Sequence, residues 1–271
     1  MSKKALLSIV LATFNEESNI KNCLNSVKEL ADEIIIVDGN STDKTREIAK
    51  VMGVKVYQRA NVAIFHKNKQ LAVEKAKGEW ILQLDADERV TKKLKSEIRK
   101  EIKKKDNFYD GYYLPRKNWF LGKFLTKGGQ YPDYVIRLFR QGKGKFPAKT
   151  VHEQIKIKGS VGYLKNPLIH LADPAFSRYL ERFNRYTSLD ATLLHKQKVK
   201  PSIWLGIQFF LLKPIWWFGL TFLRHKGFVD GFPGFLFAFM SSLRFPVTFI
   251  KLWELNQRQS NLKLKKDGDE N

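Results

Sequence analysis

Three carboxylates in four residues, Asp85, Asp87 and Glu88, follow the run Trp80-Ile81-Leu82-Gln83-Leu84. Four apolar residues in five positions read as a buried strand. Carboxylates are costly to bury unless something pairs with them. Open α/β sheets hold their ligands just beyond the carboxyl ends of their strands. Asp85 and Asp87 are therefore expected at a sheet edge, facing a ligand. One residue apart on an irregular turn, two carboxylates can meet a divalent cation whose other ligands are phosphate oxygens and water. Acidic residues after a strand also serve as plain helix N-caps, so the surrounding elements have to decide.

That strand closes a regular series. Ala5–Ala12 reads as a first strand, apolar enough to be buried on both faces of a parallel sheet. Thr13–Glu17 is its turn, and Ile20, Cys23, Leu24 and Val27 then recur at helical spacing. Glu33–Val37 is a second strand, ending in the turn Asp38-Gly39-Asn40-Ser41-Thr42-Asp43, where Ser41 or Thr42 can cap the next helix. Helix Lys44–Met52, strand Val54–Tyr57 and helix His66–Lys77 lead into Trp80–Leu84. This alternation predicts an α/β fold with a doubly wound, mostly parallel sheet. Beyond it, Thr91–Lys105 reads as a helix with Leu94, Ile98 and Ile102 on one face. Gly111–Arg116 and Tyr134–Arg140 read as strands around a loop at Lys127–Gln130. Val151–Lys158 is a last strand region. Asp173-Pro174 predicts a helix start, with Asp as N-cap and Pro at the first helical position.

The chain has 271 residues and a formal net charge of +22, which points to nucleic acid, an anionic membrane or phosphorylated substrates. A single cysteine, Cys23, excludes an internal disulfide framework. The apolar run after Met1-Ser2-Lys3-Lys4 is too short for a signal peptide, so a cytosolic chain is expected. From Pro201 to Trp253, Phe, Trp, Leu and Ile dominate, interrupted by Lys213-Pro214, Arg224–Gly227, Asp230-Gly231 and Arg244-Phe245-Pro246. These uninterrupted runs are shorter than the roughly 20 residues a spanning helix needs. Aromatic residues mixed with basic ones fit helices lying in the membrane interface. A core-forming helical subdomain, or two tilted or re-entrant spans, are the alternatives. The polar tail from Asn256 is expected to be disordered.

Leu6 to Glu16, Val37 to Thr45 and Leu84 to Glu88 together resemble family-2 glycosyltransferases, in which these blocks occur in this order. The resemblance continues through Tyr131-Pro132-Asp133, Arg137–Arg140 and Val151-His152-Glu153 toward the lipopolysaccharide-core glucosyltransferase branch. It implies a GT-A fold over residues 1–165, nucleotide-binding in 1–90 and acceptor-binding in 91–165. A helical membrane-interface region would follow at 166–255, with the tail at 256–271. The activity implied is an inverting, metal-dependent transfer from a nucleotide sugar, with UDP-sugar favoured, to a glycan or lipid-linked acceptor. The place implied is the inner face of an anionic cell membrane, in envelope polysaccharide synthesis, with no nucleic acid as partner.

The resemblance assigns roles residue by residue. Thr13, Asn15 and Glu16 would line the nucleotide pocket and Asp38 would accept a hydrogen bond from the base; helix capping is the plainer reading of Glu16 and Asp38. Lys67 and Asn68 stand where the family often has a basic residue and an amide near the nucleotide, though exposed surface fits them equally. Asp85 would meet the ribose or the water shell of the metal, and Asp87 would bind Mg2+ or Mn2+. His152 is a further metal ligand or a hydrogen-bonded strand histidine. The general base of an inverting transfer is Glu153, with Asp133 as runner-up; the family's usual acidic pair is missing here. Arg137 and Arg140 clamp phosphate or are strand-edge charges. A nucleotidyltransferase would usually carry a Gly-rich basic loop after the first strand, which Thr13–Glu17 does not supply. A nucleic-acid-binding protein is suggested by charge alone.

Overall fold

The computed structural model describes residues 5–60, 66–147 and 154–269 of the protein. Contacts divide the chain into two compact units, Met1–Asn118 with Pro132–Leu171, and Trp119–Tyr131 with Ala172–Asn271. A short segment from the middle of the chain joins the C-terminal unit.

The first unit opens with β1 (Leu7–Thr13), α1 (Glu17–Val27), β2 (Glu33–Asp38), α2 (Thr45–Val51), β3 (Lys55–Gln58), α3 (His66–Lys75) and β4 (Trp80–Leu84). These strands pair in parallel, in the order β3-β2-β1-β4. β4 is buried along its whole length, as its four apolar residues in five lead one to expect, with Gln83 buried among them. One face is packed by Ile20, Cys23, Leu24 and Val27 of α1 against Leu7, Ile9 and Leu82. The other is packed by Ala72, Val73 and Ala76 against Val10, Ile35 and Ile81. Gly78 permits a close approach of backbones: a Cβ there would lie 2.6 Å from the Ser8 nitrogen. The chain winds from β1 outward to β3 and then returns to the other side of β1. The switch point, and hence the ligand crevice, lies beyond the carboxyl ends of β1 and β4.

The second half reverses direction. β5 (Glu88–Val90), α4 (Lys92–Ile102), β6 (Gly111–Phe120), β7 (Lys123–Phe124), β8 (Asp133–Arg140), β9 (Gly144–Lys145), β10 (Lys156–Ile157), β11 (Val161–Tyr163) and β12 (Leu168–Asp173) follow. β8 adds antiparallel to β4 and β6 antiparallel to β8, and the sheet ends β6-β12-β5. Thr91 caps α4, with the Leu94 nitrogen donating to its hydroxyl at 3.1 Å, and Leu94, Ile98 and Ile102 are buried. Asp173 does not start a helix. It ends β12, its carbonyl accepts from the Leu121 nitrogen, and its carboxylate pairs with Arg182. The backbone committed to a strand is unavailable for capping, and α5 (Phe176–Lys196) begins after Ala175 instead.

In the C-terminal unit, helix Ile203–Arg224 runs through Lys213-Pro214 without a break. Wide π turns at Gln208–Leu212 and Gly219–Arg224 flank that pair. Proline removes one donor and crowds the preceding turn, and a π turn relieves both demands. Two helices, Ile203–Arg224 and Gly227–Arg258, are therefore long and apolar enough to cross a membrane, contrary to the run lengths read from sequence. They pack as an antiparallel hairpin through Phe209 with Phe249, Trp217 with Phe245 and Phe222 with Phe235. The backbone of the last helix, Gly231–Asp269, stays helical where polar composition predicted a disordered tail.

Candidate active site

At the carboxyl ends of β1 and β2 the two turns are stitched together. Asn15 adopts φ 53°, a left-handed conformation that asparagine tolerates better than most residues. Its nitrogen donates to the Ser41 hydroxyl at 2.9 Å, and its side-chain oxygen accepts from the Thr42 nitrogen at 2.9 Å. The Glu16 nitrogen donates to Thr45 at 2.7 Å, and the Glu16 carboxylate accepts from the Asn19 amide at 2.9 Å. Asp38 is fully buried. Its carboxylate accepts from the Thr13 hydroxyl at 3.0 Å and from the Ser41 hydroxyl and nitrogen at 2.6 and 2.8 Å. Arg46 lies 3.6 Å away. These contacts make Asp38 the clasp of the two turns.

Beyond β4 the carboxylates enter a network that the sequence did not disclose. Lys69, buried on α3, pairs with one oxygen of Asp85, and Arg137 donates to the other at 2.7 Å. Arg137 also donates to buried Glu88 at 2.8 Å and to the Gln83 amide oxygen at 2.5 Å. Glu88 in turn accepts from the Asp85 nitrogen at 3.0 Å. Burial alone would raise the Asp85 carboxyl, but the Lys69 and Arg137 charges outweigh it and hold the group well below the usual carboxylate range. Burial pushes the Lys69 ammonium below its ordinary value, with Asp85 opposing. Asp85 is thus ionised and gripped on both oxygens, in a position fixed by β8 and α3.

Asp87 faces a different partner. Its Oδ2 lies 3.5 Å from Nε2 of His170 on β12, and its carbonyl accepts from the Leu171 nitrogen at 2.9 Å. His170 Nδ1 is 2.7 Å from the Asn118 side-chain oxygen. The Asn118 amide nitrogen donates to Asp133 at 3.1 Å, which fixes which way the amide points. An amide oxygen toward Nδ1 needs a proton there, so in the neutral ring the Nε2 lone pair is turned to Asp87. Asp133 itself accepts two bonds from Arg116, at 2.9 and 2.7 Å. Burial raises its carboxyl, and Arg116 with Asn118 bring it below the ordinary value.

The structure therefore brings Asp85, Asp87 and Asp133 to one end of the sheet, with Thr13, Asn15, Glu16 and Asp38 in the neighbouring turns. Lys67 is exposed, and buried Asn68 donates to the Ala60 carbonyl at 3.2 Å. Lys69, two positions on, is the basic residue that reaches the acidic turn. Arg137 is no edge charge but the buried partner of Asp85 and Glu88. Arg140 pairs with Glu79 and lies over the Trp80 ring. His152 and Glu153 lie outside the described residues. Arg116, Asn118 and His170 carried no sequence signal of their own; alternation along β6 and β12 aims them, and only strand register shows it.

A two-ligand divalent site fits what is present. Among the described residues no cluster of three or more His, Cys, Asp or Glu could hold a metal ion. A carboxylate and an imidazole with a fixed lone pair are suited to Mn2+ or Mg2+ that takes its remaining ligands from phosphate and water. A hydrogen-bond partner on the other ring nitrogen, here Asn118, is what metal-binding histidines usually have.

The family described as Glycosyl transferase family 2 matches residues 8–170. An uncharacterized glycosyltransferase of Rickettsia bellii is 31% identical over 88% of this chain and 84% of its own length. The lipopolysaccharide core biosynthesis glycosyltransferase LpsC of Rhizobium meliloti is 27% identical over 90% of this chain and 93% of its own. Among solved structures, a mannosyltransferase of Pyrobaculum calidifontis, determined with GDP-Man and Mn2+, superposes with a TM-score of 0.51. It is 12% identical, covering 74% of this chain and 66% of that one, a likeness of fold. The mixed sheet and these likenesses make the architecture a GT-A type.

Proposed function

The chain belongs to glycosyl transferase family 2, and on that premise we propose an inverting, metal-dependent transfer of a hexose from a nucleotide sugar to a cell-envelope glycan or lipid-linked acceptor. The observation that carries the metal-dependent part is the facing of Asp87 and His170, 3.5 Å apart at the switch point of the sheet. Those two residues would hold Mg2+ or Mn2+, which when bound neutralises the diphosphate as it leaves. Asp85, held ionised by Lys69 and Arg137, is the rigid acceptor for the ribose or for metal-bound water. The stitched turns at Thr13–Glu16 and Asp38–Thr45 wall the nucleotide, with a UDP-sugar the first donor to test.

The base of an inverting transfer has to accept the acceptor's proton on the face opposite the leaving group. Asp133 is a poor base on two counts. Its oxygens are engaged by Arg116 and Asn118, and its proton affinity is depressed. That supports Glu153 for the role. The likeness to LpsC supports an acceptor in the lipopolysaccharide core or a related polymer. The exposed aromatic helices support a peripheral position on the inner face of the membrane.

The test is a screen of nucleotide sugars for a rise in melting temperature with and without Mn2+, repeated on Asp87→Ala. Ligand bound only by the native state must raise the transition. The metal should be required for the rise and for turnover, and Asp87→Ala should lose both while keeping its own unliganded transition. Undiminished turnover in excess chelator would exclude the metal role.

A further inference from the structure

The two apolar C-terminal helices reach spanning length, yet their contacts tie each end to polar structure. Resting on the membrane reading above, we infer that the hairpin Ile203–Arg258 lies in the plane of an anionic bilayer surface, within one leaflet, and does not cross. The partner it fits is a lipid surface carrying negatively charged headgroups.

Three observations bear on this. The first is the tip. Asp230 is buried and accepts from the Thr126 nitrogen, the Thr126 hydroxyl and the Lys127 nitrogen, each at 2.8 Å; the Gly128 nitrogen donates to the His225 carbonyl at 2.9 Å. The segment so held, Trp119–Tyr131, is bracketed by Asn118 and Pro132 of the α/β unit. Six residues separate Thr126 from Pro132, a reach of about 22 Å when fully extended. The hydrocarbon core is about 30 Å thick. A tip bound to this segment cannot lie on the far side.

The second is α5, which packs along the hairpin. Lys251 donates to the Asn184 carbonyl at 2.8 Å, to Thr187 at 2.7 Å and to Ser188 at 2.9 Å. Near the other end, Tyr179 packs with Phe120 in the cluster that includes Phe237 and Met240. If the hairpin crossed, α5 would have to cross beside it with Arg178, Glu181, Arg182, Arg185 and Asp190. Charges at that depth are costly and rare. Laid flat, α5 keeps them in water above the hairpin.

The third is the exposed face. Trp204, Ile207, Leu211 and Ile215 recur at helical spacing on one helix, and Phe232, Phe235 and Phe239 on the next, all exposed. Of the apolar 18-residue stretch in each helix, only 6% is buried in the first and 22% in the second, so the pair is not the core of a globule. Basic residues stand at both ends, Lys196, Lys198 and Lys200 before the hairpin and Arg224 and Lys226 at its tip, all exposed. A crossing hairpin would export the second group, against the tendency of cations to stay on the cytoplasmic side. A flat one presents both groups to anionic headgroups.

The experiment uses the full chain with Cys23→Ser as background and Lys198→Cys or Lys226→Cys added. Spheroplasts of an expressing bacterium are treated with a membrane-impermeant maleimide, before and after lysis. In parallel, the purified chain is floated with vesicles containing phosphatidylglycerol. We expect flotation, no labelling of either cysteine in intact spheroplasts, and labelling of both after lysis. Labelling of Lys226→Cys in intact spheroplasts would show a translocated tip and overturn the in-plane geometry while leaving membrane binding intact. A Lys226→Cys that stays unreactive after lysis would overturn it as well, since the tip would then lie within hydrocarbon. Absence of flotation would remove the membrane reading and this inference with it.

Discussion

At the scale of single residues, the site is built by pairs that speak for one another. Asp133 orients Asn118, the Asn118 oxygen faces Nδ1 of His170, and in the neutral ring protonated there the Nε2 lone pair faces Asp87. Asn118→Ala removes the middle of this chain without touching either metal-facing atom. Such outer-shell changes typically cost about 10–100-fold in metal affinity. We expect a loss in that range, read by calorimetric titration of Mn2+ into the UDP-bound protein; an unchanged affinity would show that the imidazole is oriented by something else. The catalytic base is separated by an isosteric pair. Glu153→Gln should lower kcat by about 10²–10⁴-fold with donor affinity nearly kept. Asp133→Asn should cost less, because its carboxylate is engaged by Arg116. The reverse ranking would hand the role to Asp133.

At the scale of elements, antiparallel additions to a parallel sheet do the positioning. β8 sets Arg137 between Asp85 and Glu88, and β12 sets His170 against Asp87; β6 carries Asn118 at the point where the chain leaves for the C-terminal unit. A buried carboxylate, Asp230, takes three hydrogen bonds from the excursion Trp119–Tyr131. Asp230→Ala would leave two backbone donors and a hydroxyl without their acceptor, each worth roughly 1–3 kcal/mol when buried. We expect a stability loss of at least about 3 kcal/mol in the C-terminal unit and much faster tryptic cleavage after exposed Lys127. A cleavage rate equal to the wild type under native conditions would mean that the loop is held by other contacts.

At the scale of the whole molecule, the net charge of +22 and the aromatic helices act together. On the membrane reading proposed above, cations would draw the chain to an anionic surface, and indole and phenyl side chains would hold it at the headgroup boundary. Burying a large apolar side chain is worth about 1.5–3 kcal/mol. Trp204→Ala with Trp216→Ala, both side chains exposed, should therefore weaken vesicle binding by well over about tenfold and leave donor binding intact. In 1 M salt, where screening acts over about 3 Å, wild-type binding should weaken only in part. Complete release of the wild type by salt, or no change in the double variant, would leave charge as the sole attraction.

How much of this was legible beforehand follows from the range of the forces involved. Apolar periodicity and turn residues are local, so the four parallel strands, α1 to α4 and the acidic turn at Asp85–Glu88 could be read directly, as could the family. The partners of that turn could not. Lys69, Arg116, Asn118, Arg137 and His170 are ordinary polar residues in sequence. They become a site only because strand register, a long-range property, aims them at one end of the sheet. The same holds for the C-terminus. Composition marked it as aromatic and basic, but Lys213-Pro214 looked like a break because the π turns that absorb it are invisible to a residue count. Whether an apolar helix crosses a bilayer or lies on it depends on what its ends are bonded to. Here those bonds run from Asp230 to Thr126 and from Lys251 to Asn184, across 104 and 67 residues of sequence, a distance over which only the folded chain holds information.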